Sequence, residues 1–438
     1  MLHTVIAALS LSQAIGYALD HSPTVAKERA AVVQARSEYL LRRAATLPNV
    51  NGSLQNTMQK SQNYSGYAII GVPQANVYSQ NTAQIGTSYT FNGGLAFWQS
   101  LAAKQTYEQS QADLHKTQQQ ITSDVTAAFY TLASKNDTVA LDRSDVQYQA
   151  VLVKIAKAKV TAGVAAGVDV LSANAQEEKS RYTLDAAKAD SENARESLAQ
   201  LIGAPLDEQF DVPVQVAQPP LPPQTLDALI TLALANRPEV ASANDGVAIA
   251  RTNRRAADAD LFPQIQTFAS FGNQFSPTFA GSAFAGGAQI ARGTPGYWQL
   301  GVTSTFTLPL LDWGARHANH VNLNEQISEA QTNVQAAQTQ VELDVRQAYR
   351  GAQTALAQMA SAREESRYAS EAARIARLQY EHGIKTLTDV LAAQQSSLSA
   401  QTDEFNARVA YVEAIVKLRV ALGTYTPQSA VADLQGST

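Results

Sequence analysis

An internal repeat limits the possible folds of this 438-residue chain more than any other feature. A shift of 215 positions takes the first half onto identical residues of the second, including Leu11/Leu226, Pro23/Pro238, Pro48/Pro263, Gly86/Gly301, Leu95/Leu310 and Trp98/Trp313. After a five-residue slip the shift becomes 220 and pairs Gly163/Gly383, Asp169/Asp389 and Gly203/Gly423. We therefore predict two copies of one unit, at residues 1–217 and 226–424, with a Pro-rich linker at 218–225 and a C-terminal tail at 425–438.

Each copy opens with a helical segment that ends near a proline, and two runs follow in which apolar and small polar residues alternate, as in β-strands. The predicted strands lie at about 50–62 and 81–92 in the first copy, and at about 264–275 and 297–308 in the second. Polar loops are predicted between them, at Ser61–Gln80 and Asn273–Gly296. Runs of this length suit either the strands of a membrane β-barrel or ordinary half-buried strands.

A long helix follows the strands in each copy, at about 95–162 and 315–382, and the first of these has no Gly or Pro. At about 1.5 Å per residue, each helix would be roughly 100 Å long. Apolar residues recur every seven positions at Val125, Leu132, Val139, Val146, Val153 and Val160. In the second long helix, most of a seven-residue column is formed by Val345, Ala352, Met359, Ala373 and Tyr380. Such a heptad predicts coiled-coil packing against other long helices. Each rod ends at a glycine, and the next helix begins near an aspartate that suits an N-cap.

The composition excludes several classes of function. A net charge of −5 argues against nucleic-acid binding, and the lack of Cys excludes disulfides and thiol chemistry. The sequence contains no run of 18 apolar residues, so it predicts no membrane-spanning helix. No catalytic, phosphate-binding or metal-binding motif is present, so we expect neither enzyme activity nor a cofactor; His317 and His320, three residues apart, are not expected to bind a metal. Met1–Leu11 is not typical of a signal peptide, so an export signal would have been removed before residue 1.

The whole chain resembles the TolC-like outer-membrane efflux and secretion channels, the outer membrane factors. The specific motifs are Leu308-Pro309-Leu310-Leu311-Asp312-Trp313-Gly314 at a strand-to-helix junction, and Tyr380-x-x-Gly383 followed by Asp389-Val390-Leu391. The resemblance implies a membrane β-barrel continued by a long α-helical coiled-coil barrel. Three protomers would each give four strands to one shared 12-stranded barrel. The same closure would leave no strand edge open in lipid.

The resemblance also implies a function. A homotrimer in the outer membrane of a Gram-negative bacterium would contact outer-membrane lipid and extend into the periplasm. There it would meet a periplasmic adaptor (membrane fusion) protein and, through it, an inner-membrane transporter. It would be the passive exit duct of a tripartite pump for small toxic compounds. The alternatives are the exit duct of a type I protein secretion system, or a soluble coiled-coil scaffold without a pore.

Four residues match positions of the family's periplasmic entrance. Three copies of Asp389 would form an acidic ring that favours cations, and Asp169 is the weaker candidate; the alternative for both is a helix N-cap. Ala392 replaces a second aspartate of some members. Tyr380 and Lys385 match residues whose bonds hold the entrance closed, although Lys385 is Arg in the best-known members, and Tyr380 could simply pack in the seam.

Two further sets of residues follow from the resemblance. The inter-helix turns would dock the adaptor, through Gly163, Val164, Gly167, Gly383, Ile384 and Leu387. The strand-to-helix junction of the second copy would be formed by Pro309, Asp312, Trp313 and Gly314.

Overall fold

The computed structural model describes residues 9–63, 74–213, 219–259, 261–275, 278–279, 294–306 and 311–425. The chain divides into two compact units. The first, Met1–Val32, Gln109–Asn244 and Thr332–Thr438, contains three apolar clusters between helices. The second, Val33–Glu108 and Asp245–Gln331, contains the β-sheet.

The same order of elements occurs twice along the chain. The first half contains α1 Leu11–His21, α2 Pro23–Ala44, β1 Asn49–Asn63, β2 Gln74–Asn92, α3 Leu95–Thr161 and α4 Gly167–Ile202. The second contains α5 Leu226–Asn236, α6 Pro238–Ala259, β3 Gln264–Phe275, β4 Thr278–Phe279, β5 Thr294–Thr305, α7 Ala315–Glu381 and α8 Leu387–Ala421. The long helices α3 and α7 have 67 residues each and lie within one residue of the ranges expected from the sequence.

The helical segment that opens each half is two helices rather than one. Pro23 and Pro238 are the first residues of α2 and α6, where the missing N–H of proline costs nothing. The residue before a proline is kept out of the helical region, and Ser22 and Arg237 have ψ angles of 126° and 123°. None of the helices described is long and apolar enough to cross a membrane.

The two halves change register at the junction between sheet and long helix. Since α3 begins at Leu95 and α7 at Ala315, the shift between the halves is already 220 there. The pairing of Leu95 with Leu310 and of Trp98 with Trp313 is therefore wrong. Trp98 lies in the first turn of α3, whereas Trp313 precedes α7.

The residues that are equivalent at this junction are Asn92 and Asp312. The side chain of Asn92 accepts a hydrogen bond from the N–H of Ala96 at 3.2 Å, and Asp312 accepts one from the N–H of Arg316 at 3.4 Å. Each caps the first turn of the long helix that follows it. The five extra residues of the second half therefore lie between β5 and α7.

The four long strands form one antiparallel sheet in the order β1-β2-β3-β5, and the short β4 pairs with β2. Ile85 lies opposite Phe271, and Phe271 lies opposite Trp298. Because directly opposed residues share a face, the register puts the apolar residues of all four strands on one side of the sheet. They are Val50, Leu54, Ile85, Phe91, Ile265, Phe271, Trp298, Leu300 and Val302. The opposite face consists mainly of Asn, Gln, Ser and Thr, with Phe268 as an apolar exception.

The first hairpin is longer than the alternation indicated. Pairing of β1 with β2 continues from Asn49 opposite Ser88 to Asn63 opposite Gln74. Consequently β2 begins seven residues before the predicted start at about 81, and the remainder of the predicted loop, residues 64–73, lies outside the described residues. In the added residues of β2, Ala75 and Val77 alternate with Gln74 and Asn76, but the alternation stops at Tyr78 and is too short to mark a strand.

The second predicted loop, Asn273–Gly296, lies largely outside the described residues. Its described parts are the end of β3 at Phe275, the short β4, and the start of β5 at Thr294. The strand predicted at about 297–308 thus begins three residues earlier, and residues 307–310 are again outside the description.

The heptad seam contains one buried polar residue in α7, Ser366, and is interrupted more widely in α3. The predicted column of α7 is buried at Val345, Ala352, Ala373 and Tyr380. In the middle of α3, Val139 and Val146 are only half-buried. Three polar residues of α3, Asp142, Asp145 and Gln149, are buried there instead. A polar layer therefore interrupts the coiled coil between the apolar clusters on either side of it.

Candidate functional site

Two tight turns join the long helices to the helices that follow them. Gly163 after α3 and Gly383 after α7 have positive φ angles of 74° and 77°, which glycine adopts without a steric cost. The N–H of Val164 donates to the carbonyl of Lys159 at 3.0 Å, and the N–H of Ile384 donates to Gln379 at 2.8 Å. These six-to-one hydrogen bonds are Schellman motifs, which satisfy the last carbonyls of a helix.

The second turn ends in a capping box. Thr386 is the N-cap of α8, and its hydroxyl accepts a hydrogen bond from the N–H of Asp389 at 3.3 Å. The Asp389 carboxylate accepts hydrogen bonds from the hydroxyl and the N–H of Thr386, at 2.8 and 3.0 Å. Asp389 is therefore the third residue of the helix, not the N-cap itself. The hydrogen bonds from Thr386 hold the pKa of the exposed Asp389 below its usual range, and nearby Lys385 also lowers it.

The first turn has no such box. Ala166 occupies the N-cap of α4 and has no side chain that could accept a hydrogen bond from the helix. Asp169 lies in the first turn of α4, half-buried, and its N–H donates to the carbonyl of Ala166 at 3.0 Å. The two aspartates that the repeat makes equivalent in sequence therefore have different surroundings.

Tyr380 lies in the last turn of α7 and is only 3% exposed. It packs in the apolar cluster at this end of the helices, against Leu152, Val153, Ala156, Ala173, Leu387 and Val390. Burial raises the pKa of the Tyr380 hydroxyl, and the nearby negative charge of Asp169 raises it further. The structure thus brings Tyr380 and Asp169 together, but in the described residues the Tyr380 hydroxyl has no hydrogen-bond partner.

Lys159, which the sequence analysis missed, contacts Tyr380. Its amine donates a hydrogen bond to the backbone carbonyl of Tyr380 and lies 4.0 Å from the centre of the Tyr380 ring. A charge-assisted hydrogen bond and a cation–π contact on a half-buried amine together stabilise such a contact by about 2 kcal/mol. Lys385, which the resemblance assigned to this role, is exposed and acts on Asp389 instead.

The turns present apolar side chains to solvent. Val164 and Ile384 are each 73% exposed, and Val168 and Leu171 at the start of α4 are also exposed. Leu387 differs because it is 3% exposed and belongs to the apolar cluster with Tyr380. Its side chain is therefore less accessible to a partner than those of Val164 and Ile384, and its role in docking stays a prediction.

The strand-to-helix junction of the second half is a tight turn. Trp313 has a φ of 52°, the one positive φ of a non-glycine residue among the described residues, and Gly314 follows with 83°. The Asp312 carboxylate accepts a hydrogen bond from the N–H of Gly314 at 3.1 Å. The indole of Trp313 is left 88% exposed. Pro309 lies outside the described residues.

The histidines of α7 are not grouped with other metal ligands. His320 Nε2 lies 3.6 Å from a carboxylate oxygen of Asp258 on α6. Across the described ranges, no group of three or more His, Asp or Glu residues is placed to hold a metal ion.

Comparison with known proteins identifies the family. A family profile described as "Outer membrane efflux protein" matches residues 14–204 and 229–424, which is most of the chain. The chain belongs to this family. The resemblance noted in the sequence is thereby confirmed. An outer membrane efflux protein is a channel component and not an enzyme, and it resides in the outer membrane of Gram-negative bacteria and extends into the periplasm.

Individual members of the outer membrane efflux family are distant in sequence but similar in fold. The chain is 24% identical over 418 residues to the pyoverdine export outer membrane protein OpmQ of Pseudomonas aeruginosa, covering 93% of this chain and 83% of that one. It matches the CmeC outer membrane channel of Campylobacter jejuni with a TM-score of 0.78 at 18% identity, over 97% and 88% of the two chains. The open-state MtrE outer membrane channel of Neisseria gonorrhoeae matches at 0.73 and 23% identity, over 97% and 95%.

Proposed function

We propose that three copies of this chain form the outer-membrane channel of a tripartite efflux pump, as a passive exit duct for small toxic compounds. The observation that carries the proposal is the sheet. In the described part of the chain, β1 and β5 each have a long strand neighbour on one side only. Open strand edges are not tolerated in lipid, and the strands alternate in direction, so β5 of one copy can pair with β1 of the next. Three sheets would close into a 12-stranded barrel.

The two faces of the sheet suit a barrel wall between lipid and water. On the apolar face, Leu54 is 90% exposed, Trp298 77% and Leu300 71%. A continuous apolar face of this size needs a cover, and lipid supplies one, while the polar face would line the duct. The exposed indole of Trp313 at the end of the sheet suits the interface between membrane and water.

Comparison of α2 with its equivalent α6 also supports closure by copies. In α6, Thr252 donates a hydrogen bond to Gln105 of α3 at 2.8 Å, and Arg254 donates one to Asn324 of α7. In the equivalent part of α2, Val33, Leu40 and Leu41 are exposed. Equivalent helices in a ring should have equivalent neighbours, so α7 of an adjacent copy would cover α2.

The inter-helix turns would form the periplasmic end of the duct. Their exposed Val164 and Ile384 offer an apolar surface for a periplasmic adaptor, through which an inner-membrane transporter would drive export. Asp389 would form the acidic entrance ring. The family is named for efflux, and one relative is named for the export of pyoverdine. These names favour small compounds over secreted polypeptides as the cargo of this channel.

Two measurements test the proposal. The first is the mass of the detergent-purified protein, and the second is its conductance in planar lipid bilayers. We expect a trimer that produces stable conductance steps. A matched pair of variants on β5 tests the assignment of the faces: Val302→Asp puts a charge on the apolar face and should block insertion, whereas Thr303→Asp, on the polar face, should not. A monomer that stays dispersed without detergent and conducts nothing would overturn the proposal and leave the scaffold alternative.

A further inference from the structure

Lys159 connects the ends of the two long helices. It lies in the last turn of α3, and the partners of its amine are the backbone carbonyl and the ring of Tyr380 in the last turn of α7. Within the described part of the chain, no carboxylate lies within ion-pair distance of this amine. The contacts of the Lys159 amine among the described residues are therefore with α7. If the two helix ends separated, both the hydrogen bond to the Tyr380 carbonyl and the cation–π contact with its ring would be lost.

The carbonyl that Lys159 binds is part of the end of α7. The same carbonyl oxygen accepts a hydrogen bond from the N–H of Gly383 at 3.0 Å, so it belongs to the last turn of α7. The carbonyls of a last turn lack partners within the helix, and the helix dipole is negative there. A lysine often caps its own helix at this position. Here the cap comes from another helix, so it fastens α7 to α3.

No lysine of α7 at the equivalent position can make the same contact with the end of α3. The residue of α7 equivalent to Lys159 is Gln379, which carries no charge. Other groups do not replace the contact either, because the Tyr380 hydroxyl has no hydrogen-bond partner in the described residues and Lys385 is exposed.

We propose that Lys159 is the positioning residue that holds the α3–α4 turn and the α7–α8 turn of one chain together, and so keeps the periplasmic entrance at its resting width. This inference rests on the proposed channel function, because it assigns the residue that keeps that channel's entrance at its resting width. It replaces a lock made through the tyrosine hydroxyl and Lys385 with a lysine that caps the neighbouring helix.

The test uses spin labels on the two turns. The chain has no native Cys, so cysteines introduced as Val164→Cys and Ile384→Cys, both at exposed sites, are the only labelling positions. Trimers diluted with unlabelled chains give the distance within one chain. We expect Lys159→Met to lengthen and broaden this distance. Lys159→Arg should preserve the wild-type distribution, since a guanidinium can still donate to the carbonyl and stack on the ring. Lys157→Met, which removes an exposed lysine from the same helix, is the matched control and should change nothing.

Conductance is the second readout. Lys159→Met should raise the open fraction in bilayers about thirtyfold, and Lys159→Arg should restore the wild-type fraction, which a general loss of stability would not allow. The proposal is overturned if Lys159→Met leaves the label distance unchanged, or if Lys385→Met widens it while Lys159→Met does not. Wild-type protein that forms no channel would refute the proposed function instead, and the label distances would still decide whether Lys159 joins the turns.

Discussion

The two buried carboxylates of α3 are held in different ways. Asp145 accepts hydrogen bonds from Ser180 at 2.7 Å, Gln394 at 3.1 Å and Gln149 at 3.2 Å. In the described residues, one carboxylate oxygen of Asp142 has no partner. Burial raises the pKa of Asp142, and the negative charge of Asp145 raises it further. The surroundings of Asp142 in the described residues therefore destabilise the charged form of its carboxyl group.

We predict that Asp142→Asn stabilises the protein at neutral pH. A carboxyl whose pKa is raised by folding contributes stability below its unfolded pKa, and this contribution is lost as the pH rises through the folded value. The variant should raise the apparent Tm by about 3 °C at pH 7, and the gain should disappear near pH 3, where both side chains are neutral. Scanning calorimetry at a series of pH values checks this. Asp185→Asn, at an exposed position of α4, is the control, and an Asp142→Asn variant with a lower Tm at pH 7 would contradict the prediction.

Thr386 should control the first turn of α8. Thr386→Ala removes the capping box, so hydrogen exchange of the amides after residue 386 should accelerate roughly fivefold. Because the cap lowers the pKa of Asp389, its contribution is present above the unfolded pKa and is lost as the pH falls through the folded value. The difference from wild type should therefore shrink in acid. Thr402→Ala, which removes a hydroxyl bonded within the same helix, should leave these amides unchanged.

Residues whose surroundings are local were predictable from the sequence, and those that depend on tertiary contacts were not. Gly163 and Gly383 mark the turns because a left-handed helix end favours glycine wherever the helix packs. Asp389 was expected at a helix start, although only the structure shows that Thr386 is the cap. Nothing in the heptad pattern marks Lys159, because its partner is 221 residues away on another helix.

At the scale of single elements, the pairing of β3 with β2 depends on Gly272, which lies opposite Gln84. A Cβ added at Gly272 would come within 2.9 Å of the carbonyl oxygen of Ala83 and of Cβ of Gln84. We predict that Gly272→Ala forces the two strands apart and destabilises the assembled protein by about 1–3 kcal/mol. Denaturant melts of the purified oligomer would measure the loss. Gly52→Ala is a matched strand control, since a Cβ there meets nothing within 4 Å, and equal losses for both variants would contradict the prediction.

The long helices α3 and α7 were predictable to within one residue because seven-residue spacing runs through them and a glycine follows each of them closely. The strands were predictable only where apolar residues alternate. The alternation at the start of β2 is too short to mark a strand, so its extension to Gln74 had to come from the register with β1. The interruption of the α3 seam was hidden for a related reason. Val139 and Val146 continue the apolar spacing, yet the buried positions are taken by Asp142, Asp145 and Gln149.

At the scale of the whole molecule, Asp389 should set the charge preference of the proposed entrance. Asp389→Asn keeps an acceptor for the capping box but removes the charge, so the cation preference in bilayers should fall. Asp389→Lys should reverse the preference towards anions. Reversal potentials under a salt gradient measure both variants. Unchanged reversal potentials in the lysine variant would reduce Asp389 to a structural role at the start of α8.

The duplication was visible in the sequence because enough identical residues remain at a constant spacing. Its change of register was placed wrongly because Trp98 and Trp313 coincide by chance at a shift of 215. Only the starts of α3 and α7 show that the halves differ by 220 at that point. The proposed assembly from copies, by contrast, rests on the chemistry of a sheet whose outer strands β1 and β5 have open edges in the described part of the chain.

Those two edges also have a consequence for inheritance. A chain damaged at β5 alone would still present a sound β1, and would enter a ring that it cannot complete. For the proposed trimer, a cell that makes damaged and intact chains in equal amounts would build only about one ring in eight entirely from intact chains. A lesion confined to one edge should therefore behave as a dominant allele, whereas a lesion that prevents the sheet from forming should be recessive.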